Sequence, residues 1–310
     1  MAEHIVVSSD LDATRADRAV AVLCGISRGA ARRSVDAGGV RRGGTALSAS
    51  TTVFEGDALD VTLVDVEETV VPEANVDFSV AYEDDGVIVV DKPAGVVVHP
   101  GAGRPTGTLA NGLLARYPEI RDLPEACRWG IVHRIDRDTS GLLIVAKTAD
   151  AFNHLQAALK RREIKREYRA LVGGQFASAT GTIDAPIGRD PGEPTRMAVI
   201  ESGRPARTHF QRLAEWDDAE VSLAAVALET GRTHQIRVHM KAIGHPVVGD
   251  PVYGTKRPAA GDPGRTWLHA ASLTFEHPDG SGPITVRSNL PDDLVASLEG
   301  LGDTSRGSVA

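Results

Sequence analysis

The stretch HRIDRDTSG, residues 133–141, is a charged motif that lies among apolar segments. GIVHRI at residues 130–135 runs into it, and LLIVAKT at residues 142–148 follows it. Both segments have the composition of strands, whereas the polar residues that end in glycine are typical of a loop. The pattern therefore predicts two strands that flank a charged loop.

One carboxylate of this loop has arginine neighbours in the sequence. Asp136 lies between Arg134 and Arg137, and guanidinium groups favour the ionised form of a nearby carboxylate. A charged, oriented carboxylate at a strand end suits a nucleophile or a base, and a structural ion pair with Arg134 is the alternative interpretation. Asp138 competes for the same role, although its position in DTSG also suits a side chain that caps a turn.

Strands dominate the chain from residue 78 onward, and helices are inserted without a regular alternation. Strands are predicted at FSVAYE, VIVVDK, REYRALVGG, ARTHFQRLAEW, EVSLAAVALET and LHAASLTFEH, and helices at LANGLLARY, AFNHLQAALKRR and RTHQIRVHMKAIG. This order argues for an α+β fold with a mixed, largely antiparallel sheet and flanking helices. We expect residues 78–299 to form one domain, and the small polar tail, residues 300–310, to be disordered.

Residues 1–65 are predicted to form a smaller domain of two helices and a hairpin. Ser27 suits the N-cap of the second helix, RGAARRSVD at residues 28–36, and a glycine pair ends that helix. Residues 66–77 are acidic, contain Pro72 and lack a clear periodicity, so we expect a linker between the two domains.

The net charge of −8, from 34 basic and 42 acidic residues, is distributed unevenly. Residues 55–91 hold twelve acidic residues and no Lys or Arg, so basic patches remain elsewhere. In the small domain Arg28 and Arg32 share one face of a helix, and Arg41 follows just past its end. Such patches predict nucleic-acid binding, with solvated helix faces or a basic structural cap as the alternative.

Composition and missing motifs exclude several classes of protein. Of the 310 residues 42% are hydrophobic, which is ordinary for a globular chain, and no apolar run is long enough to span a bilayer. The N-terminus shows no targeting pattern, so we expect a cytoplasmic protein. P-loop, GxSxG and HExxH motifs are absent, and His234 and His239 are five residues apart, which is a poor chelate on a helix. We expect no metal.

Several long motifs together resemble the RluA/RluD-type pseudouridine synthases. They are EDDGVIVVDKPAGVVVHP, HRIDRDTSGLLIVAKT, KREYRALV, LETGRTHQIRVHMKAIGHPVVGDPVYG and LHAASL, in the order of that family. The resemblance runs from about residue 80 to about residue 290, which makes residues 78–299 the expected catalytic domain. The small domain resembles the alpha-L RNA-binding domain that is common in the RluD-like branch.

The resemblance implies an enzyme that isomerises uridine in RNA without a metal or organic cofactor. Such enzymes cleave the N-glycosidic bond, turn the base and rejoin it through its fifth carbon. Large-subunit ribosomal RNA is the expected substrate and partner, and a monomer is expected. The alternatives are a tRNA substrate, a non-catalytic RNA-binding or ribosome-assembly protein, and a nucleosidase, which would usually need a second carboxylate.

The resemblance also implies roles for individual residues. Asp136 is the expected catalytic carboxylate, which either attacks the anomeric carbon or first abstracts a sugar proton. Arg237 is expected to pair with it, and Tyr168 to pack against the target base. We expect the following arginines to bind RNA, the first of them by filling the space that the flipped nucleotide leaves: Arg134, Arg137, Arg232, Arg28, Arg32 and Arg41.

Overall fold

A computed structural model describes residues 3–26, 28–63, 70–101, 104–255 and 259–309 of the protein. The chain divides into two compact units, residues 1–69 and residues 70–310. Among the described residues no helix is long and apolar enough to cross a membrane.

The N-terminal unit holds two helices and a four-stranded antiparallel sheet, which is more than the predicted hairpin. Its elements are β1 (Glu3–Val6), a 3₁₀ helix (Ser9–Leu11), β2 (Thr14–Arg15), α1 (Ala16–Leu23), α2 (Arg28–Asp36), β3 (Val40–Arg42), β4 (Thr45–Ala46), β5 (Thr52–Val53) and β6 (Ala58–Val61). The sheet has the order β1-β6-β3-β4, and β2 pairs with β5. Val20 of α1, Val35 of α2 and Leu59 of β6 are buried together in its core. The predicted cap, Ser27, lies outside the described residues.

The second unit is built on a ten-stranded sheet. The described strands of this unit, including two outside that sheet, are β7 (Ser79–Glu83), β8 (Val87–Lys92), β9 (Ser140–Ala146), β10 (Lys165–Gly173), β11 (Thr180–Asp184), β12 (Ile187–Arg189), β13 (Met197–Val199), β14 (Arg207–Trp216), β15 (Val221–Leu228), β16 (Leu268–Glu276), β17 (Pro283–Arg287) and β18 (Arg306–Gly307). Its helices are α3 (Leu109–Arg116), α4 (Ala149–Arg161), α5 (Gln235–Ala242) and α6 (Asp292–Glu299), with 3₁₀ helices at Pro118–Asp122 and Glu125–Gly130.

The strand order confirms the predicted α+β fold with a mixed, largely antiparallel sheet. The order is β11-β14-β15-β10-β16-β9-β8-β7, with β17 on β16 and β18 on β14, and β12 and β13 form a separate pair. Among the described strands only β9 and β16 pair in parallel, through Ser140 and Gly141 against His269 and Ala270. The loop that carries Asp136 leads directly into β9 at this parallel contact.

Strands β8 and β9 contain the apolar runs 87–90 and 142–146, because both of their faces are buried. Successive side chains of a strand point to opposite faces. Ile88 therefore enters a core with Leu113 of α3, while Val87 enters a second core with Leu155 of α4. This burial fixes β9, and with it the loop before it, between two packed layers.

The predicted strand GIVHRI does not form. Within it Ile131 makes one isolated bridge to Val145, and residues 132–136 are irregular. Arg128 and Trp129 have positive φ angles, which turn the chain before the segment can align with its neighbour. The backbone of Val132 is nevertheless satisfied, because its N–H donates to Ile144 O at 3.0 Å and its carbonyl accepts from the Gln156 side chain at 2.7 Å.

The described parts of the predicted linker and tail, residues 70–77 and 300–309, are ordered parts of the second unit. In the described part of the linker, the Asn111 side chain donates to Val71 O at 2.8 Å, and the Glu73 N–H donates to Asn111 O at 3.0 Å. At the C-terminus β18 pairs with β14, and the Ser305 N–H donates to Glu215 O at 2.8 Å. Backbone hydrogen bonds to neighbouring elements therefore override the polar composition of both segments.

We predict that Gly141→Ala destabilises the protein by about 3 kcal/mol. Gly141 has φ 105°, and an added Cβ would lie 2.3 Å from Ala270 O across the parallel contact. Urea unfolding followed by circular dichroism measures the loss. Gly280→Ala is the matched control, because its φ is 81° but nothing lies within 4 Å of an added Cβ. The control should lose only about 1 kcal/mol, and equal losses would contradict the prediction.

Candidate active site

A cavity of about 890 Å³ opens where the 133–139 loop, β10, α4 and the segment after β15 meet. Pockets of about 300–1,000 Å³ are typical of small-ligand sites. Among the described residues, eight cations line it against two carboxylates, Asp136 and Glu229. The cations are Arg128, Arg134, Lys160, Arg162, Arg166, Arg204, Arg232 and Arg237. The cavity is therefore basic although the whole chain is acidic.

The loop that carries Asp136 is held from behind by the end of β8. The fully buried Lys92 donates from Nζ to Arg137 O at 3.0 Å, and the Gly95 N–H donates to the same oxygen at 2.8 Å. Burial lowers the pKa of Lys92 to about 7, against the opposing charges of Asp138 and Asp136. These bonds fix the backbone next to Asp136 without using its carboxylate.

Arg237 joins two carboxylates. Its Nη1 donates to Asp136 Oδ2 at 3.0 Å, while Nε and Nη2 donate to the two oxygens of Asp250 at 2.6 and 2.9 Å. Arg237 lies on α5, so a residue 101 positions away reaches the loop. The resemblance to a family predicted the pair of Arg237 with Asp136, and the structure brings these two residues together.

Sequence reasoning missed Asp250. Its side chain is fully buried and also accepts the backbone N–H groups of Val252 and Tyr253 at 2.8 and 2.9 Å. Burial would raise the pKa of Asp250, but the Arg237 guanidinium and these N–H groups outweigh it, so the pKa lies below 3.8. An aspartate followed by proline in a glycine-flanked GDPVYG turn was the signal that could have indicated such a backbone-capping carboxylate.

One oxygen of Asp136 remains open toward the cavity. Among the described residues, Oδ1 is approached by His234 Nε2 at 3.9 Å, and the Asp136 side chain is 23% exposed. His234 is oriented by Tyr253, whose hydroxyl lies 2.9 Å from Nδ1. Burial lowers the pKa of His234, in opposition to the charge of Asp136, which favours a neutral imidazole at neutral pH. The carboxylate is thus held on one side and accessible on the other.

Tyr168 lies in the cavity wall, as the predicted role requires. It is on β10 and is almost fully buried, and it lines the same cavity as Asp136. Burial raises the pKa of its hydroxyl, and the charge of Asp136 adds to that rise. A neutral aromatic ring therefore faces the space beside the carboxylate.

The predicted RNA-binding arginines of this unit are not equivalent. Arg134 is exposed and lines the cavity. Arg232 also lines it, half-buried, with Nε donating to Pro205 O at 3.0 Å. Arg137 does not line it and forms two hydrogen bonds with the Asp138 carboxylate, at 2.8 and 3.0 Å. The Asp138 side chain thus engages a neighbouring guanidinium, where the sequence suggested a turn cap.

The three other predicted arginines lie in the N-terminal unit, which is described by itself. Arg32 is exposed and pairs with Asp36 at 3.3 Å. Arg41 is exposed and donates from Nε to Gly38 O at 3.3 Å. The side chain of Arg28 lies outside what the structure describes. Exposed, weakly engaged guanidinium groups are available for an anionic partner.

Comparison with known proteins connects this geometry to an activity. The family model described as RNA pseudouridylate synthase matches residues 86–242. A relative from Nitrosomonas europaea named ribosomal large subunit pseudouridine synthase D is 40% identical over 99% of this chain and 90% of its own length. An uncharacterized RNA pseudouridine synthase from Bacillus subtilis is 42% identical over 89% of each chain.

A solved structure has a similar fold. Human RNA Pseudouridylate Synthase Domain Containing 1 superposes with a TM-score of 0.60 at 29% identity, and covers 77% of this chain and 93% of its own. The matched residues 86–242 include the Asp136 loop, Tyr168 and Arg237.

We predict that Asp250→Asn lowers the free energy of unfolding at pH 7 by about 3 kcal/mol, because it removes one partner of a buried ion pair. The pKa of Asp250 is depressed in the folded state, so the stability that it contributes is complete at neutral pH. That contribution begins to fall as the pH drops below about 4, toward the lower pKa of the folded state, so the difference between the two proteins should narrow there.

Urea titrations between pH 3 and pH 7 measure this difference. Glu163→Gln is the control, because Glu163 pairs with Arg161 on the exposed surface and its loss should leave stability nearly unchanged. A difference between wild type and Asp250→Asn that does not depend on pH would show that the carboxylate is not the stabilising group.

Proposed function

The chain belongs to the RNA pseudouridylate synthase family, and we propose that it converts specific uridines of large-subunit ribosomal RNA to pseudouridine, with Asp136 as the catalytic carboxylate. The observation that carries the proposal is an aspartate held by a buried arginine at 3.0 Å in a cavity lined by cations. The name of the Nitrosomonas relative favours ribosomal RNA over tRNA as the substrate.

The target uridine must leave its stack to reach Asp136. Flipping a nucleotide costs a few kcal/mol, which contacts with the protein must offset. The exposure of Arg134 at the cavity supports a role in stacking on the bases left behind, since a planar guanidinium stacks well. The Tyr168 ring offers the uracil a stacking surface worth about 1–3 kcal/mol.

The chemistry requires a carboxylate at the sugar. When the bond from uracil N1 to the ribose anomeric carbon breaks, positive charge develops on the sugar, and an ionised carboxylate stabilises or traps it. The base then turns, its C5 bonds to the anomeric carbon, C5 loses its proton and N1 gains one. Arg237 holds Oδ2 of Asp136, which leaves Oδ1 directed at the substrate.

A nucleosidase or glycosidase is less well supported. Such enzymes usually pair two carboxylates across the scissile bond. Glu229 is the other acid in the cavity lining, but its carboxylate is bound by Arg162 at 3.0 Å and by His209 at 2.7 Å. A non-catalytic RNA-binding protein would have no use for the buried Arg237–Asp250 support behind Asp136.

The N-terminal unit is proposed to add affinity for RNA. Its exposed Arg32 and Arg41 support a phosphate-binding surface. An enzyme that acts on ribosomal RNA would work where that RNA is made, so the cytoplasm is the proposed location. Mapping of pseudouridines in total RNA from cells with and without the gene tests the substrate, and it should reveal sites in large-subunit RNA that are lost with the gene.

We predict that Asp136→Asn abolishes pseudouridine formation and leaves RNA binding within about threefold of wild type, since the amide keeps the shape but cannot stabilise sugar cation character. Release of tritium from [5-³H]uridine RNA measures activity, and filter binding measures affinity. Asp138→Asn is the control, because that carboxylate engages Arg137 and should keep measurable activity. An inactive Asp138→Asn beside an active Asp136→Asn would reverse the assignment.

We predict that the triple variant Arg28→Gln, Arg32→Gln, Arg41→Gln weakens RNA binding and flattens its dependence on salt. Each lost phosphate contact should reduce the slope of log K against log salt by about 0.7–0.9. Turnover at saturating RNA should be nearly unchanged, since the cavity is intact. An unchanged salt slope would remove the RNA-binding role of this unit.

A further inference from the structure

Arg166 is a buried cation in the cavity wall that the proposed chemistry does not use. It lies on β10 two residues before Tyr168, so both side chains point to the same face of the strand. Only 6% of Arg166 is exposed, yet it lines the same cavity as Asp136. A guanidinium at this depth needs several hydrogen bonds and a counter-charge.

The described residues satisfy this guanidinium only in part. Nη2 donates long hydrogen bonds to the carbonyl oxygens of Leu228 and Glu229, at 3.4 and 3.5 Å. Nε is buried and has no hydrogen-bond partner in the described part of the chain. Burial lowers the pKa of Arg166, and the group that opposes this shift is the Tyr168 hydroxyl rather than a carboxylate of the described residues.

The acidic side chains of the cavity are already engaged elsewhere. Asp136 binds Arg237, and the Glu229 carboxylate binds Arg162 and His209. The wall opposite Arg166 has no side chain at Gly231, and a Cβ added there would lie 2.7 Å from Arg166 Nη1. Glycine at this position leaves room for the guanidinium without supplying it with an acceptor.

We propose that Arg166 binds a phosphodiester group of the RNA strand, beside the uridine that enters the cavity. A phosphodiester carries one negative charge and two free oxygens, which match the parallel N–H groups of a guanidinium. A uracil carbonyl could accept one N–H but would leave the buried charge uncompensated. The inference rests on the proposed function, because it names the part of the substrate that this residue recognises.

The position of Arg166 fits a nucleotide that also contacts Tyr168. Residues two apart on a strand are separated by about 7 Å along it. That separation is comparable with the span from a base to its own phosphate. A uracil against the Tyr168 ring would therefore bring a backbone phosphate within reach of Arg166. Tyr168 would contact the base of a nucleotide, and Arg166 would contact its phosphate.

The test uses the full chain and a synthetic RNA stem-loop centred on a uridine located by the mapping experiment. Phosphates around that uridine are replaced one at a time by neutral methylphosphonate. Wild type should lose about tenfold in affinity at one position, as expected for a charge-assisted contact. Arg166→Met should bind the unmodified RNA about tenfold more weakly and lose nothing further at that position.

Salt dependence gives a second readout. Arg166→Met should reduce the slope of log K against log salt by about 0.7, while Arg166→Lys, which keeps the charge but not the fork, should retain it. Arg169→Met is the matched control, because Arg169 pairs with Glu167 at 2.5 Å and does not line the cavity. It should behave like wild type in both measurements.

Three outcomes would overturn the inference. One is an Arg166→Met protein that stays sensitive to the same methylphosphonate. Another is a weakened variant with an unchanged salt slope, which would indicate contact with the base. The third is a marked fall in melting temperature without RNA that Arg166→Lys restores, because an unpaired buried cation should not stabilise the free protein. A wild-type chain that neither binds nor modifies the RNA would instead refute the proposed function.

Discussion

The candidate site depends on one buried guanidinium held between two carboxylates. Asp250 occupies two donor groups of Arg237, so the remaining Nη1 is aimed at Asp136 without freedom to turn away. Two carboxylates share a single cation, and the backbone N–H groups that cap Asp250 supply the remaining compensation. The arrangement exists only when the Asp136 loop, α5 and the turn after Asp250 are all in place. The site therefore forms only in the folded protein.

Much of the fold was predictable from local sequence patterns, because runs of apolar residues mark its buried strands. β8 and β9 bury both faces, so each contains an unbroken apolar run, at residues 87–90 and 142–146. GIVHRI has the same composition but fails to form a strand. The positive φ angles of Arg128 and Trp129 turn the chain there, and nothing in the identity of an arginine or tryptophan indicates such a conformation.

The site was predictable only in part, because its ion pairs are not local. Sequence neighbours suggested Arg134 and Arg137 as partners of Asp136, whereas Arg137 takes the Asp138 carboxylate and Arg134 is exposed at the cavity. The pairing with Arg237 came from the resemblance to a family, and no spacing rule spans the 101 residues between the two. Asp250 was not predicted for the same reason, because its partner Arg237 lies on a different element.

The place of β16 in the sheet has a consequence for how the protein is made. This strand lies between β9 and β10, although it follows them by about a hundred residues in the chain. As the ribosome synthesises the chain from its N-terminus, both neighbours wait with unsatisfied edges until residues 268–276 emerge. The nascent protein therefore cannot complete its central sheet, or a site resting on that sheet, until residues 268–276 have been synthesised.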